Sequence, residues 1–152
     1  MRLYNWQAMK HFLALSFFLF LFSSFSSAQH CVFPEYKCEN GQNLATAQPD
    51  EDFDNIKVQK LAHDSLSTGF LIWVKKSVRP HRHVHHSENI YVIEGEGDMT
   101  VGDNTFKISP GSYIFVPTNV VHSVVVDENK GTMKVLSVQS PFFDGNDRVF
   151  EN

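Results

Sequence analysis

From residue 56 onward, apolar side chains come in short runs separated by turn formers, with no helical spacing. The runs cover 56–61, 69–74, 89–93, 99–101, 105–108, 113–116, 122–126 and 133–139. Each is rich in β-branched and aromatic residues and too short for a good helix, so each predicts a strand. Gly95-Glu96-Gly97 and Gly102-Asp103-Asn104 punctuate them as hairpin turns do, and Pro110-Gly111 and Pro117 mark further bends. About eight short strands with tight turns predict an all-β, antiparallel sandwich or barrel of the jelly-roll type. Residues 39–55 are polar, with Pro49 and the acids Asp50, Glu51, Asp52 and Asp54, and read as a surface lead-in.

The first 28 residues follow another rule. A basic start (Arg2, Lys10) precedes an apolar run over 12–22 and a small-residue stretch, Ser23-Ser24-Phe25-Ser26-Ser27-Ala28. Ser26 and Ala28 occupy the −3 and −1 positions of a cut after Ala28, the form of a secretory signal peptide. The alternative is an uncleaved anchor, but a helical run of this length rises only about 16 Å, roughly half the hydrocarbon thickness. The organisation expected is therefore a signal peptide over 1–28, an N-terminal arm over 29–55 and a barrel over 56–152. The product would be secreted or periplasmic, with no membrane attachment once the signal is gone.

The chain has 152 residues, 42% hydrophobic and 20% charged, which suits one globular domain. Its formal charge is −4, and cleavage would remove two cations and no anion. An acidic chain without a basic run is not expected to bind nucleic acid. Cys31 and Cys38 would both survive cleavage. In an oxidising compartment they form a candidate local disulfide pinning the arm, the alternative being two free thiols.

The chemistry gathers in one window, His81-Arg82-His83-Val84-His85-His86, followed by Glu88. Alternate side chains of a strand share a face, so His81 and His83 can point together into a barrel. Glu88 opens the next strand, and His122 begins another. Three imidazoles and a carboxylate would make a mixed nitrogen and oxygen site for a divalent first-row ion, with coordination positions left for water or substrate. A solvated, pH-titrating histidine loop is the competing reading of the cluster.

The spacings resemble those of the cupins. Their first motif is commonly written Gly-x5-His-x-His-x3,4-Glu-x6-Gly. Here His81-x-His83-x4-Glu88-x6-Gly95 matches it, with Lys75 in place of the leading Gly. The second motif, Gly-x5-Pro-x-Gly-x2-His-x3-Asn, is matched by Gly111-x5-Pro117-x-Asn119-x2-His122, with Asn119 for the second Gly and Val126 for the last Asn. Asn is the residue that best replaces Gly in a left-handed turn. The resemblance implies a small double-stranded β-helix (RmlC-like) barrel in which His81, His83, Glu88 and His122 bind one metal ion. Iron, manganese, nickel and zinc all suit such ligands. His85 lies too close to Glu88 for the family spacing. It reads as a rim residue together with His86, with an added ligand or a proton shuttle as the other role for either.

Alternation places Ile90 and Val92 inward and Tyr91 and Ile93 outward. With Val120, Val124 and Val126, the inward residues predict a small apolar cavity anchored by the ion. Tyr91, Glu94, Tyr113 and Arg79 lie near the motifs without evident catalytic roles. The function expected is a secreted metal-dependent cupin enzyme of dioxygenase, isomerase or lyase type, acting on a small oxygen-bearing organic compound. The alternative is a non-catalytic module binding a small ligand or a metal. A homodimer is a candidate assembly, with residues 56–61 or Pro141-Phe142-Phe143 covering a sheet edge or a partner, and the two Phe alternatively plugging the barrel end.

Overall fold

The computed structural model describes residues 43–151. The expected signal segment, its cleavage site and the Cys31–Cys38 pair lie outside these residues.

Among the described residues ten strands follow one another: β1 (Ile56–His63), β2 (Thr68–Val74), β3 (Ser77–His83), β4 (Ser87–Glu94), β5 (Gly97–Val101), β6 (Asn104–Ile108), β7 (Tyr113–Val116), β8 (His122–Val126), β9 (Met133–Ser140) and β10 (Arg148–Phe150). One turn of 3-10 helix, Glu128–Lys130, links β8 to β9. The strands form two five-stranded sheets, ordered β1-β2-β9-β4-β7 and β10-β3-β8-β5-β6. Every pairing is antiparallel. All eight expected runs are strands, with ends displaced by a few residues at most.

Two strands carry no apolar run. In β3, Ser-Val-Arg-Pro-His-Arg-His, the buried inward positions are His81 and His83, so the usual apolar signal is replaced by imidazoles. β10 is three residues long and exposed, too short for any period to show.

Alternation builds the core. Along β4, Glu88, Ile90 and Val92 are buried while Tyr91 faces solvent, as the pattern predicts. Val92 and Met133 meet Val74, Ile114, Val116 and Val126 in the apolar cluster between the sheets. Gly95 permits the close passage of β4 past β9. Its φ is +80°, and a Cβ there would stand 2.6 Å from the Met133 backbone, so both the conformation and the space call for Gly.

The lead-in does more than skirt the surface. Lys134 on β9 is only 1% exposed, and its Nζ reaches Glu94 Oε1 at 2.8 Å, the Ala45 carbonyl at 2.9 Å and the Leu44 carbonyl at 3.2 Å. A buried ammonium needs such partners, and the arm supplies two of them. Among the described residues no helix is long and apolar enough to cross a membrane.

Candidate metal centre

Register brings the histidines together. His81 on β3 pairs directly with His122 on β8, so the two rings project from the same face, with centroids 4.2 Å apart. His83, two residues along β3, shares that face, 5.3 Å from His81 and 5.6 Å from His122. Pro80, which lacks an N–H to give a ladder, sits where the β3–β8 register shifts between Val78 and His81. Glu88 enters from the opposite sheet, on β4 between Val116 of β7 and Gln139 of β9.

All four side chains expected at the site are thus gathered, and all are buried. One nitrogen from each of His81, His83 and His122 lies within 4.8 Å of the other two. Glu88 joins through Oε2, which is 3.2 Å from His122 Nε2 and 3.9 Å from His83 Nε2. Its other oxygen accepts from the Ser137 hydroxyl and, at 3.4 Å, from Gln139 Nε2.

The ring hydrogen bonds orient the donor atoms. His81 Nδ1 donates to the Arg79 carbonyl at 2.8 Å and His122 Nδ1 to the Val120 carbonyl at 3.1 Å. A carbonyl can only accept, so each ring carries a proton on Nδ1 and turns its Nε2 inward. His122 Nε2 has no hydrogen-bond partner among the described residues, Glu88 being near it but poorly aligned.

Electrostatics suit ligation. Burial is the largest cause holding His81 down to about 4, and His122 and Arg148 add to it. Burial likewise holds His83 down to about 4 against the pull of Glu88. Burial pushes Glu88 upward, but His122, Ser137 and His83 outweigh it and keep the carboxyl at about 2. Neutral imidazoles at His81 and His83 beside the ionised Glu88 carboxylate fit a divalent transition-metal ion.

A cavity of about 80 Å³ lies against these side chains, walled by Ile72, Val74, Met99, Ile108, Met133 and Val135 among others. Of the lining expected from alternation, Ile90 and Val124 face it. Val92 and Val126 are instead buried in the core, and Val120 packs against that core.

His86 corrects the sequence reading. It is 7% exposed, not at the rim. Its Nδ1 binds the Asp147 carboxylate and its Nε2 the Phe142 carbonyl at 2.9 Å, so both nitrogens are committed. Phe143, also buried, stands edge-on to the rings of both His83 and His86 and closes that side as a plug. His85 is exposed, in keeping with a rim position.

Ser137, Gln139, Arg148 and Asp147 went unnoticed in the sequence. Ser137 and Gln139 had left a trace. They continue the inward alternation Met133, Val135 of β9, so two polar residues occupy positions where the period demands burial. Arg148 and Asp147 sit on or beside a strand too short to show one.

These features coincide with a known family. The cupin domain model matches residues 70–139, the segment holding both motifs. An uncharacterized protein of Aquifex aeolicus is 31% identical over 97 residues, 63% of this chain and 78% of that protein. The solved RmlC-like cupin of Shewanella frigidimarina superposes with a TM-score of 0.55 at 28% identity, covering 62% of this chain and 84% of that one. Quercetin 2,3-dioxygenase of Bacillus subtilis is 33% identical over 66 residues, 41% of this chain but only 20% of that enzyme. The chain belongs to the cupin superfamily.

Proposed function

We propose that this cupin is a metal-dependent enzyme acting on a small oxygen-bearing organic compound, with His81, His83, Glu88 and His122 as the metal ligands. The observation that carries the reading is the paired Nδ1–H donation of His81 and His122 to backbone carbonyls, which turns both Nε2 atoms into a buried pocket. Such outer hydrogen bonds are how ligand imidazoles are oriented and made more basic. A bound divalent ion would supply Lewis acidity toward a substrate oxygen or a water.

The chain's own residues do the rest. The Ser137 hydroxyl and Gln139 amide hold Oε1 of Glu88, which leaves Oε2 directed at His122. The apolar walls exclude bulk water and favour a substrate with a small apolar body. The relative named as a dioxygenase makes oxygenation one reaction class to test, beside isomerisation and elimination. Residues 1–28 have the pattern of an export signal, so the reading includes action outside the cytoplasm.

Elemental analysis of the purified protein should find close to one transition-metal ion per chain, lost in His81→Ala, His83→Ala and His122→Ala. The metal-loaded protein should turn over a chelating compound in oxygen-uptake, isomerase or lyase assays. Tight stoichiometric metal with no turnover across all three would instead mark a binding module.

A further inference from the structure

β10 is short, but its register decides what it presents. Arg148 pairs directly with His83, and directly opposed residues of an antiparallel ladder project from the same face. Arg148 therefore lines the cavity of His81, His83, Glu88 and His122 while remaining exposed, which places it at the mouth.

The neighbouring arginines are engaged. Arg82, on the other face of β3, is paired with Glu151, and Arg79 lies over the Phe150 ring, 5.0 Å from its centroid. Among the described residues Arg148 has neither an ion-pair partner within 4.0 Å nor a side-chain hydrogen bond.

An uncompensated guanidinium facing a cavity in a chain of net charge −4 is a local anion attractor in an otherwise anion-repelling molecule. Its planar fork matches the two oxygens of a carboxylate. The adjoining walls include the apolar side chains of Ile56, Val58 and Val78.

We propose that Arg148 is a specificity-determining residue that receives the substrate's carboxylate at the cavity mouth and so turns the neighbouring oxygen donor toward the three histidines. The substrate class is then a small carboxylic acid with an adjacent oxygen, such as a 2-oxo or 2-hydroxy acid. This rests on the metal-dependent reading above.

The test uses full-length protein purified with its metal and three probes: α-ketoisovalerate, its primary amide and inorganic phosphate, each titrated calorimetrically. Metal content is measured on every sample. Wild type should bind the acid about tenfold or more tighter than the amide, the scale of one charge-assisted contact. Arg148→Gln should erase that preference with metal content unchanged, and Arg148→Lys should keep part of it. Equal binding of acid and amide, binding of neither, or a preference surviving Arg148→Gln overturns the proposal. Phosphate binding as tightly as the acid overturns the carboxylate assignment. A wild type without stoichiometric metal, but with an Arg148-dependent preference, sinks the metal centre and leaves this role standing. The converse result sinks this role alone.

Discussion

Imidazole titrates near neutrality, so its surroundings decide whether it serves as a cation or as a ligand. His81 and His83 are pressed to about 4, burial being the largest cause for each, and both are therefore neutral across the physiological range. Protons compete with metal only for the fraction they can occupy. Metal should accordingly stay bound down to about pH 5, where an exposed histidine cluster with the usual pKa of about 6.5 would already be releasing it. Metal content after dialysis against buffers of falling pH checks this, and release centred near pH 6.5 would contradict it. Asn119 shows a different legibility at the same scale. Its φ of 63° is the left-handed turn expected where it replaces a motif Gly, and its N–H donates to the His83 carbonyl at 2.7 Å. The substitution keeps the turn that holds a ligand strand in place.

Strands β9 and β3 show where the pattern speaks and where it falls silent. β9 alternates Met133, Val135, Ser137 and Gln139 inward, so one strand supplies the core at one end and the partners of Glu88 at the other. Met133 is 1% exposed and touches the turn at Gly95. Met133→Ala should destabilise by about 2–5 kcal/mol, as buried Met truncations do. Urea denaturation should show a lower midpoint at an unchanged slope, because the surface exposed on unfolding stays the same. Eight of the ten described strands were legible because each carries an apolar run bounded by turn formers. β3 was not, since the residues it buries are ligands, and hydrophobicity cannot distinguish a buried imidazole from a solvated one.

At the scale of the whole molecule, the C-terminal segment returns across the barrel end and brings Phe143, Asp147 and Arg148 against β3 and β4. The tie is His86 with Asp147. Burial disfavours the His86 cation, but Asp147 and the Phe142 carbonyl outweigh it and raise the imidazole above its ordinary value. Burial works against the Asp147 charge too, and His86 with the His85 N–H outweighs it and lowers the carboxyl. The His86 contribution to stability is full below about pH 6.5 and fades as pH rises through its higher folded value. That of Asp147 is full above about pH 3.8 and fades as pH falls through its lower folded value. His81 and His83 act oppositely to His86, since their depressed values cost the metal-free fold stability as pH falls from about 6.5 toward 4. The metal-free protein should therefore gain stability from pH 4 to about 6.5 and decline modestly beyond. Asp147→Asn should abolish the decline and leave the rise. Denaturant midpoints across pH read both limbs, and an alkaline decline persisting in the variant would locate its cause elsewhere.

The order of residues determined by itself the β class, most of the strands, the inward face of β4 and the four side chains of the candidate site. Each of these follows from a period of two or from a motif spacing, both local properties of the chain. Only the tertiary structure decided that His86 is tied inside, that Ser137 and Gln139 hold Glu88, and that Arg148 stands opposite His83. Those are pairings between strands far apart in sequence. Their register is set by how the two sheets close on one core, and no local pattern carries that information.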